Sequence, residues 1–134
     1  MTMRVFDASE AADEIWRPGV RTRMLASHQS QSSQLAIFEQ WCDPGHGAPL
    51  HTHVVEEVLE VIDGIAEFEV DGERVQLVTG QGIIVPAGSV HGFTNAGDGP
   101  LHTRATLAEP IFEAHYIDPP SDQRRWGPGS TDRG

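Results

Sequence analysis

The feature of this sequence that most constrains its fold is a succession of short segments rich in β-branched and aromatic residues. They run from about residue 20 to residue 117 and are separated by Gly, Pro, Asp and Asn. Such segments are typical of strands, and helical periodicity is weak between them. We predict strands near residues 20–26, 35–41, 51–62, 65–70, 74–78, 82–85, 90–95, 101–108 and 111–117. Many short strands without intervening helices predict an all-β sandwich or barrel.

Local signals refine this pattern at its turns and at its start. Asp63-Gly64 and Asp71-Gly72 each join two residues that tolerate positive φ, which tight hairpin turns require. Residues 7–16 (DASEAADEIW) can form one or two helical turns, with Asp7 or Ser9 as the cap. We therefore allow for a short N-terminal helix before the strands.

The chain of 134 residues has room for one domain with a substantial core, but is too short for two ordinary ones. No internal repeat or linker interrupts it. Residues 119–134 are polar and rich in Gly and Pro, so we expect a flexible C-terminal tail there. The expected organisation is a single domain over residues 1–118, with its core barrel over about 20–117.

Charge excludes several classes of partner. Twenty acidic residues stand against nine basic residues, all of them arginine, for a formal charge of −11. A surface this negative repels phosphate backbones, so nucleic acid and anionic membranes are poor partners. The N-terminus carries acids where a signal peptide would need an apolar stretch, and Cys42 has no second cysteine to pair with. We expect a cytoplasmic protein.

Four residues in the middle of the chain can hold a metal ion. Side chains of equal parity share one face of a strand, so His51 and His53 project together, about 7 Å apart along the strand. Glu57 shares their parity and can close on the same ion if the strand continues or bends. His91 would come from another strand. Three imidazoles and a carboxylate suit one divalent ion of Fe, Mn, Ni, Cu or Zn and leave exchangeable positions on it.

The spacing of these residues resembles both sequence motifs of the cupin superfamily. Residues 45–64 read G-x5-H-x-H-x3-E-x6-G, and residues 80–95 read G-x5-P-x-G-x2-H-x3-N, with every defined position filled. The resemblance implies a small single-domain cupin, a jelly-roll β-barrel with the metal inside. It also implies that the metal ligands are His51, His53, Glu57 and His91.

We expect a largely apolar cavity around the ion. The parity that faces the metal continues to Leu59, and neighbouring strands are expected to add Phe68 and Phe93. The opposite parity of residues 51–62 is also mostly apolar, so we expect a second sheet or subunit to cover it. Because small cupins usually pair their sheets through their N-terminal strands, the resemblance further implies a homodimer.

The polar residues of the cavity are less determined. Residues 35–41 present either Glu39, a possible general base, or Gln40, an amide, and the pattern leaves both open. In residues 101–108, apolar patterning places Arg104 outside. The reverse parity would make Arg104 a clamp for a carboxylate substrate.

The leading hypothesis is a metal-dependent enzyme that acts on a small, partly apolar organic molecule, as an oxygenase of the dioxygenase type. The first alternative is a non-redox metal enzyme: a cyclase, isomerase, decarboxylase or lyase with the ion as Lewis acid. The second alternative is a non-catalytic protein that binds a metal or a small ligand.

Overall fold

The computed structural model describes residues 3–126. Short 3-10 turns form at Ala8–Glu10 and His28–Ser30. The strands are β1 (Asp13–Arg17), β2 (Val20–Ala26), β3 (Ala36–Cys42), β4 (Gly47–Thr52), β5 (Glu57–Asp63), β6 (Ile65–Val70), β7 (Glu73–Val78), β8 (Gly82–Val85), β9 (His91–Asn95), β10 (Leu101–Leu107), β11 (Phe112–Ile117) and β12 (Pro120–Arg125). No helix in this part of the chain is long and apolar enough to cross a bilayer.

Two six-stranded antiparallel sheets face each other. Sheet A has the order β1-β2-β3-β10-β5-β8, and sheet B has the order β12-β11-β4-β9-β6-β7. Consecutive strands repeatedly cross from one sheet to the other, as in a jelly roll. The all-β jelly-roll prediction is confirmed.

The core lies between the sheets and follows the two-residue period of the strands. In β10, Leu101, Thr103, Ala105 and Leu107 are buried, while the residues between them are half-buried on the outer face. Aromatic rings of Trp16, Phe38 and Phe112 pack together at one end, with centroids 4.8 to 5.4 Å apart. This aromatic cluster forms one side of the candidate site described below.

The predicted strand over residues 51–62 is divided in the structure. β4 ends at Thr52, and β5 begins at Glu57 in the opposite sheet. The residues between them carry the chain across the barrel, so parity along one strand cannot describe the whole segment.

The predicted N-terminal helix is reduced to one 3-10 turn. Asp7 caps that turn by accepting a hydrogen bond from the Ser9 backbone N–H at 2.9 Å. The rest of the segment becomes β1, because Glu14 and Trp16 alternate inward with exposed residues between them. Burial of the Trp16 indole against other aromatic rings outweighs the weak helical signal.

The prediction of a flexible tail from residue 119 is wrong for residues 120–125. These residues form β12 along the free edge of β11, with Phe112 opposite Arg125. Arg125 is buried, lies over the Trp16 ring at 5.0 Å and is 3.9 Å from Glu14. The polar residues 120–125 form a strand because Arg125, whose side chain points inward, packs on an aromatic ring and lies near a carboxylate. Residues 127–134 of the predicted tail lie outside the described residues.

Candidate metal centre

The four predicted ligands meet between the two sheets. His51 lies in β4, His53 just after it, and His91 begins β9, all on sheet B; Glu57 begins β5 on sheet A. One ligand atom from each residue lies within 4.8 Å of the others, and all four residues are buried. The crossing between β4 and β5 is what brings the carboxylate opposite the histidines.

His51 and His91 are brought together by the pairing of β4 with β9, where they are directly opposite each other. The two strands approach closely beside them. A Cβ on Gly92 would lie 2.6 Å from the Ala48 carbonyl oxygen, so only glycine fits there.

Backbone carbonyls fix the orientation of all three imidazole rings. Each Nδ1 lies 2.6 to 2.9 Å from a carbonyl oxygen: His51 from Pro49, His53 from Glu113, and His91 from Ser89. Because a carbonyl can only accept, each Nδ1 carries a hydrogen and donates it. Each ring therefore directs its Nε2 toward the common point, which is how metal-binding histidines are usually held.

The short contact between His51 and His53 indicates that these residues fit a metal ion. Their Nε2 atoms are 3.1 Å apart, and with both Nδ1 atoms protonated each presents a lone pair. Two such acceptors repel unless a cation lies between them. Burial, together with neighbouring His91 and His53, lowers the pKa of His51 to about 3, so a proton does not fill that role at neutral pH. The donor set fits a divalent transition metal.

Glu57 completes the donor set and interacts most strongly with His91. Its Oε1 is 2.8 Å from the His91 Nε2 and 3.5 Å from the His53 Nε2. Burial disfavours a charged His91 ring, but the hydrogen bond to Glu57 and its negative charge outweigh burial and raise the His91 pKa. Because a metal ligand must be deprotonated, a metal ion competes with a proton for the His91 Nε2.

A narrow cavity, open to solvent at its mouth, lies beside these donors. His51 and Glu57 form its metal end. Its walls are mostly aromatic and aliphatic, with three further polar side chains near them. The lining residues are Trp16, Arg17, Phe38, Gln40, Ala48, His51, Glu57, Leu59, Phe93, Phe112 and Tyr116.

The predicted apolar residues divide into two positions. Leu59 and Phe93 line the cavity. Phe68 does not line it: the ring is fully buried beside Phe93, with centroids 5.5 Å apart, and supports that wall from behind. Parity gave the correct face for Phe68, but this position on β6 lies deeper in the core.

The structure resolves the polar positions that the pattern left open. Gln40 faces the cavity, whereas Glu39 lies on the outer face of sheet A, 3.3 Å from His102. Arg104 also lies on the outer face, where it donates to Glu60 at 2.9 Å. The suggestion of Arg104 as a pocket residue is therefore corrected, because the apolar residues of β10 occupy the inner face.

Sequence reasoning missed two polar residues of the cavity, Arg17 and Tyr116. Tyr116 shares the parity of Phe112 and Ala114, so the strand pattern contained a signal for it. Arg17 had none, because strict alternation from Trp16 would turn it outward. A β-bulge between Ile15 and Arg17 changes that direction.

Comparison with known proteins places these features in a family. The sequence model of the family described as "Cupin domain" matches residues 39–106, just over half of the chain. Acireductone dioxygenase from Drosophila pseudoobscura pseudoobscura is 38% identical over 71 residues, which cover 48% of this chain and 38% of that protein. The chain thus matches well under half the length of that relative.

Solved structures share the fold at low sequence identity. KdgF from Halomonas sp. has a TM-score of 0.70 at 21% identity, over 81% of this chain and 96% of that chain. The polyketide cyclase RemF from Streptomyces resistomycificus has a TM-score of 0.68 at 21% identity, over 80% and 79%. Oxalate decarboxylase from Lactobacillus farciminis has a TM-score of 0.74 at 17% identity, over 83% and 35%. These likenesses concern the fold.

Proposed function

This chain belongs to the cupin domain family, and we propose that it is a metal-dependent oxygenase of the dioxygenase type acting on a small, partly apolar organic molecule. The observation that carries this proposal is the convergence of three oriented imidazoles and one carboxylate at the end of an apolar cavity. Such a donor set does not saturate a six-coordinate ion, so substrate can reach it.

The chemistry of the donors supports a reactive centre. A redox-active ion held by these four side chains would supply both the electrons for dioxygen chemistry and a site for substrate oxygens. The protein's own contribution is positional. Leu59 and Phe93 present apolar surface to the cavity. The Gln40 amide, held by its hydrogen bond to Thr22 at 3.1 Å, can orient a polar group of the substrate.

Two observations favour the oxygenase over a non-redox metal enzyme. First, 71 residues of the chain are similar to a protein whose name, acireductone dioxygenase, describes an oxygenase. In addition, Glu39, the residue predicted as a general base for the non-redox alternative, faces away from the cavity.

The test begins with protein purified without added metal. Elemental analysis would identify the resident ion, and an oxygen electrode would measure dioxygen uptake with a panel of small organic acids, diketones and phenols. Iron or copper together with substrate-dependent oxygen uptake would support the proposal. Zinc with turnover under anaerobic conditions would favour the non-redox alternative, and metal without turnover across the panel would favour a binding protein.

We also propose that the protein is a cytoplasmic homodimer that pairs through the outer face of sheet A. There Trp41 stacks on His102 at 4.4 Å, and the Arg21 guanidinium lies 4.3 Å from the Trp41 ring. At one edge of the sheet, Ile84 is 67% exposed. Light scattering should give twice the chain mass of 14.6 kDa; a monomer at working concentration would contradict the pairing.

A further inference from the structure

The cavity contains a cation that the metal site does not explain. Among its lining residues, Arg17 is the one with a permanent positive charge. Its guanidinium donates to the Tyr116 hydroxyl at 2.7 Å and to the Gly47 carbonyl oxygen at 3.3 Å. Both acceptors are neutral, so they hold the side chain in place without compensating its charge.

This setting is unusual for an arginine of this protein. Most other arginines within residues 3–126 form an ion pair: Arg21 and Arg23 with Asp13, Arg74 with Glu67 and Glu69, Arg104 with Glu60, Arg124 with Glu113, and Arg125 with Glu14. The exposed Arg4 bonds to Gln31 instead. Within the same residues, Arg17 forms no ion pair, although acids outnumber bases by 20 to 9 in the chain. A cation that is held in place in a cavity without an ion pair is a site for an anionic group.

The backbone of β1 is adapted to aim this cation inward. Arg17 is paired with the buried Val20, while Ile15 is paired with Arg21, so one extra residue lies on β1 between the two pairs. As a result, the consecutive side chains of Trp16 and Arg17 both line the cavity. Bulges frequently redirect a side chain in this way beside functional sites.

Tyr116 connects the cation to the metal end of the cavity. Its ring lies 5.4 Å from the ring of His51, and its hydroxyl accepts from Arg17. A tyrosine hydroxyl both accepts and donates, so while it accepts from Arg17 it can donate its own hydrogen to a ligand oxygen. Arg17 and Tyr116 thus offer two donors to one oxyanion next to the metal ligands.

We propose that the substrate is an organic carboxylate with a flat, apolar body, whose carboxylate binds to Arg17 and Tyr116 while a second oxygen faces the metal ligands. This inference rests on the proposed function for the position of the metal, and it adds the class of substrate. The aromatic walls formed by Trp16, Phe38 and Phe112 offer apolar surface to that body. A sugar phosphate fits poorly. One arginine cannot balance the two negative charges of the phosphate, and the apolar walls offer few partners to the sugar hydroxyls.

The test compares two probes of nearly equal shape. Salicylate carries a carboxylate beside a phenolic oxygen, and salicylamide carries a neutral amide in its place. Titration calorimetry on protein containing its resident metal should show salicylate binding about tenfold or more tighter than salicylamide. This comparison uses the native chain and does not depend on any variant folding. Equal binding of the two probes, or no binding of salicylate, would overturn the proposal.

Two variants with the same change of net charge locate the effect. Arg17→Gln should lose the preference for salicylate, whereas Arg104→Gln, altered on the outer face, should keep it. Arg17→Lys retains the charge but not the fork of donors, and should keep part of the preference. If Arg17→Gln binds salicylate as tightly as the native protein, the assignment of Arg17 is wrong.

The outcome is separable from that of the proposed function. A preference for salicylate that depends on Arg17, without any dioxygen uptake, would retain the carboxylate site and refute the oxygenase. Dioxygen uptake with neutral substrates, unaffected by Arg17→Gln, would retain the oxygenase and refute the carboxylate site.

Discussion

At the scale of single residues, the three imidazoles of the candidate metal site are oriented by the backbone rather than by other side chains. The acceptors for the three Nδ1 hydrogens are the carbonyl oxygens of Pro49, Glu113 and Ser89. Replacing those residues would leave the carbonyls in place, so the ring orientations should tolerate such changes. Only substitution of a ligand itself removes a donor.

His51→Ala should abolish metal binding. The change leaves only three of the four donors and removes the imidazole that lies against both other rings. We expect elemental analysis to fall from about one ion per chain to near zero, with loss of any activity. His28→Ala, at an exposed position outside the site, is the matched control and should keep the metal. Full metal content in His51→Ala would refute the ligand assignment.

Glu109, in the loop between β10 and β11, should make the stability of the fold depend on pH. Burial, reinforced by the charge of Glu113, raises the Glu109 pKa from its ordinary 4.5 to about 7. The folded chain therefore holds this proton more tightly than the unfolded chain. The resulting stabilisation is complete below about pH 4.5 and is lost as the pH rises through 7.

Glu109→Gln should accordingly raise the free energy of unfolding at pH 8 and change it little at pH 4.5. The gain should stay below about 1 kcal/mol, because solvent screens this partly exposed carboxyl. Urea unfolding at the two pH values measures it, with the exposed Glu73→Gln as control. An equal effect at both pH values would show that the proton of Glu109 is not responsible.

At the scale of elements, β12 covers both the edge of β11 and the aromatic cluster. Its register places Arg125 opposite Phe112 and over Trp16. Removing it would leave the β11 edge unpaired and uncover Trp16, which lines the cavity.

A chain ending at Pro119 should therefore be less stable than one ending at Trp126. We expect a loss of about 2 to 4 kcal/mol in the free energy of unfolding, from the lost ladder hydrogen bonds and the exposed ring. Urea titration of the two truncated chains measures the difference in their free energies of unfolding, which is the contribution of β12. Equal midpoints and equal slopes would mean that β12 adds nothing to the fold.

The regularity of each strand decides which inward and outward side chains the sequence could predict. Where strands are regular, side chains alternate as the pattern indicates. Leu59 and Phe93 line the cavity, whereas Arg104, also suggested as a pocket residue, lies outside. Alternation gave the wrong direction for Arg17. The bulge before it inserts one residue, which changes the face to which the following side chain points, and no residue type in the sequence indicates the bulge. Alternation also could not choose between Glu39 and Gln40, since both faces of β3 carry apolar residues. That choice depends on how β3 pairs in the sheet.

At the scale of the whole molecule, the donor set joins the two sheets. Glu57 belongs to sheet A, whereas His51 and His91 belong to sheet B. An ion held by all of them would link the halves of the barrel, and any ligand that binds only the folded state adds to its stability.

Removing the metal should therefore lower the thermal midpoint by several degrees. Thermal unfolding followed by circular dichroism, before and after treatment with a chelator and after adding the ion back, measures the shift. His51→Ala should show no response to the chelator. An unchanged midpoint in the native chain, with metal loss verified by elemental analysis, would mean that the ion does not brace the barrel.

The bulge in β1 ties the chemistry of the cavity to the length of a strand. A regular strand can present only one of two consecutive side chains to the interior, so without the extra residue either the Trp16 wall or the Arg17 cation would be lost. A one-residue deletion that turned Arg17 outward would remove the cation from this cavity and leave all four candidate metal donors in place.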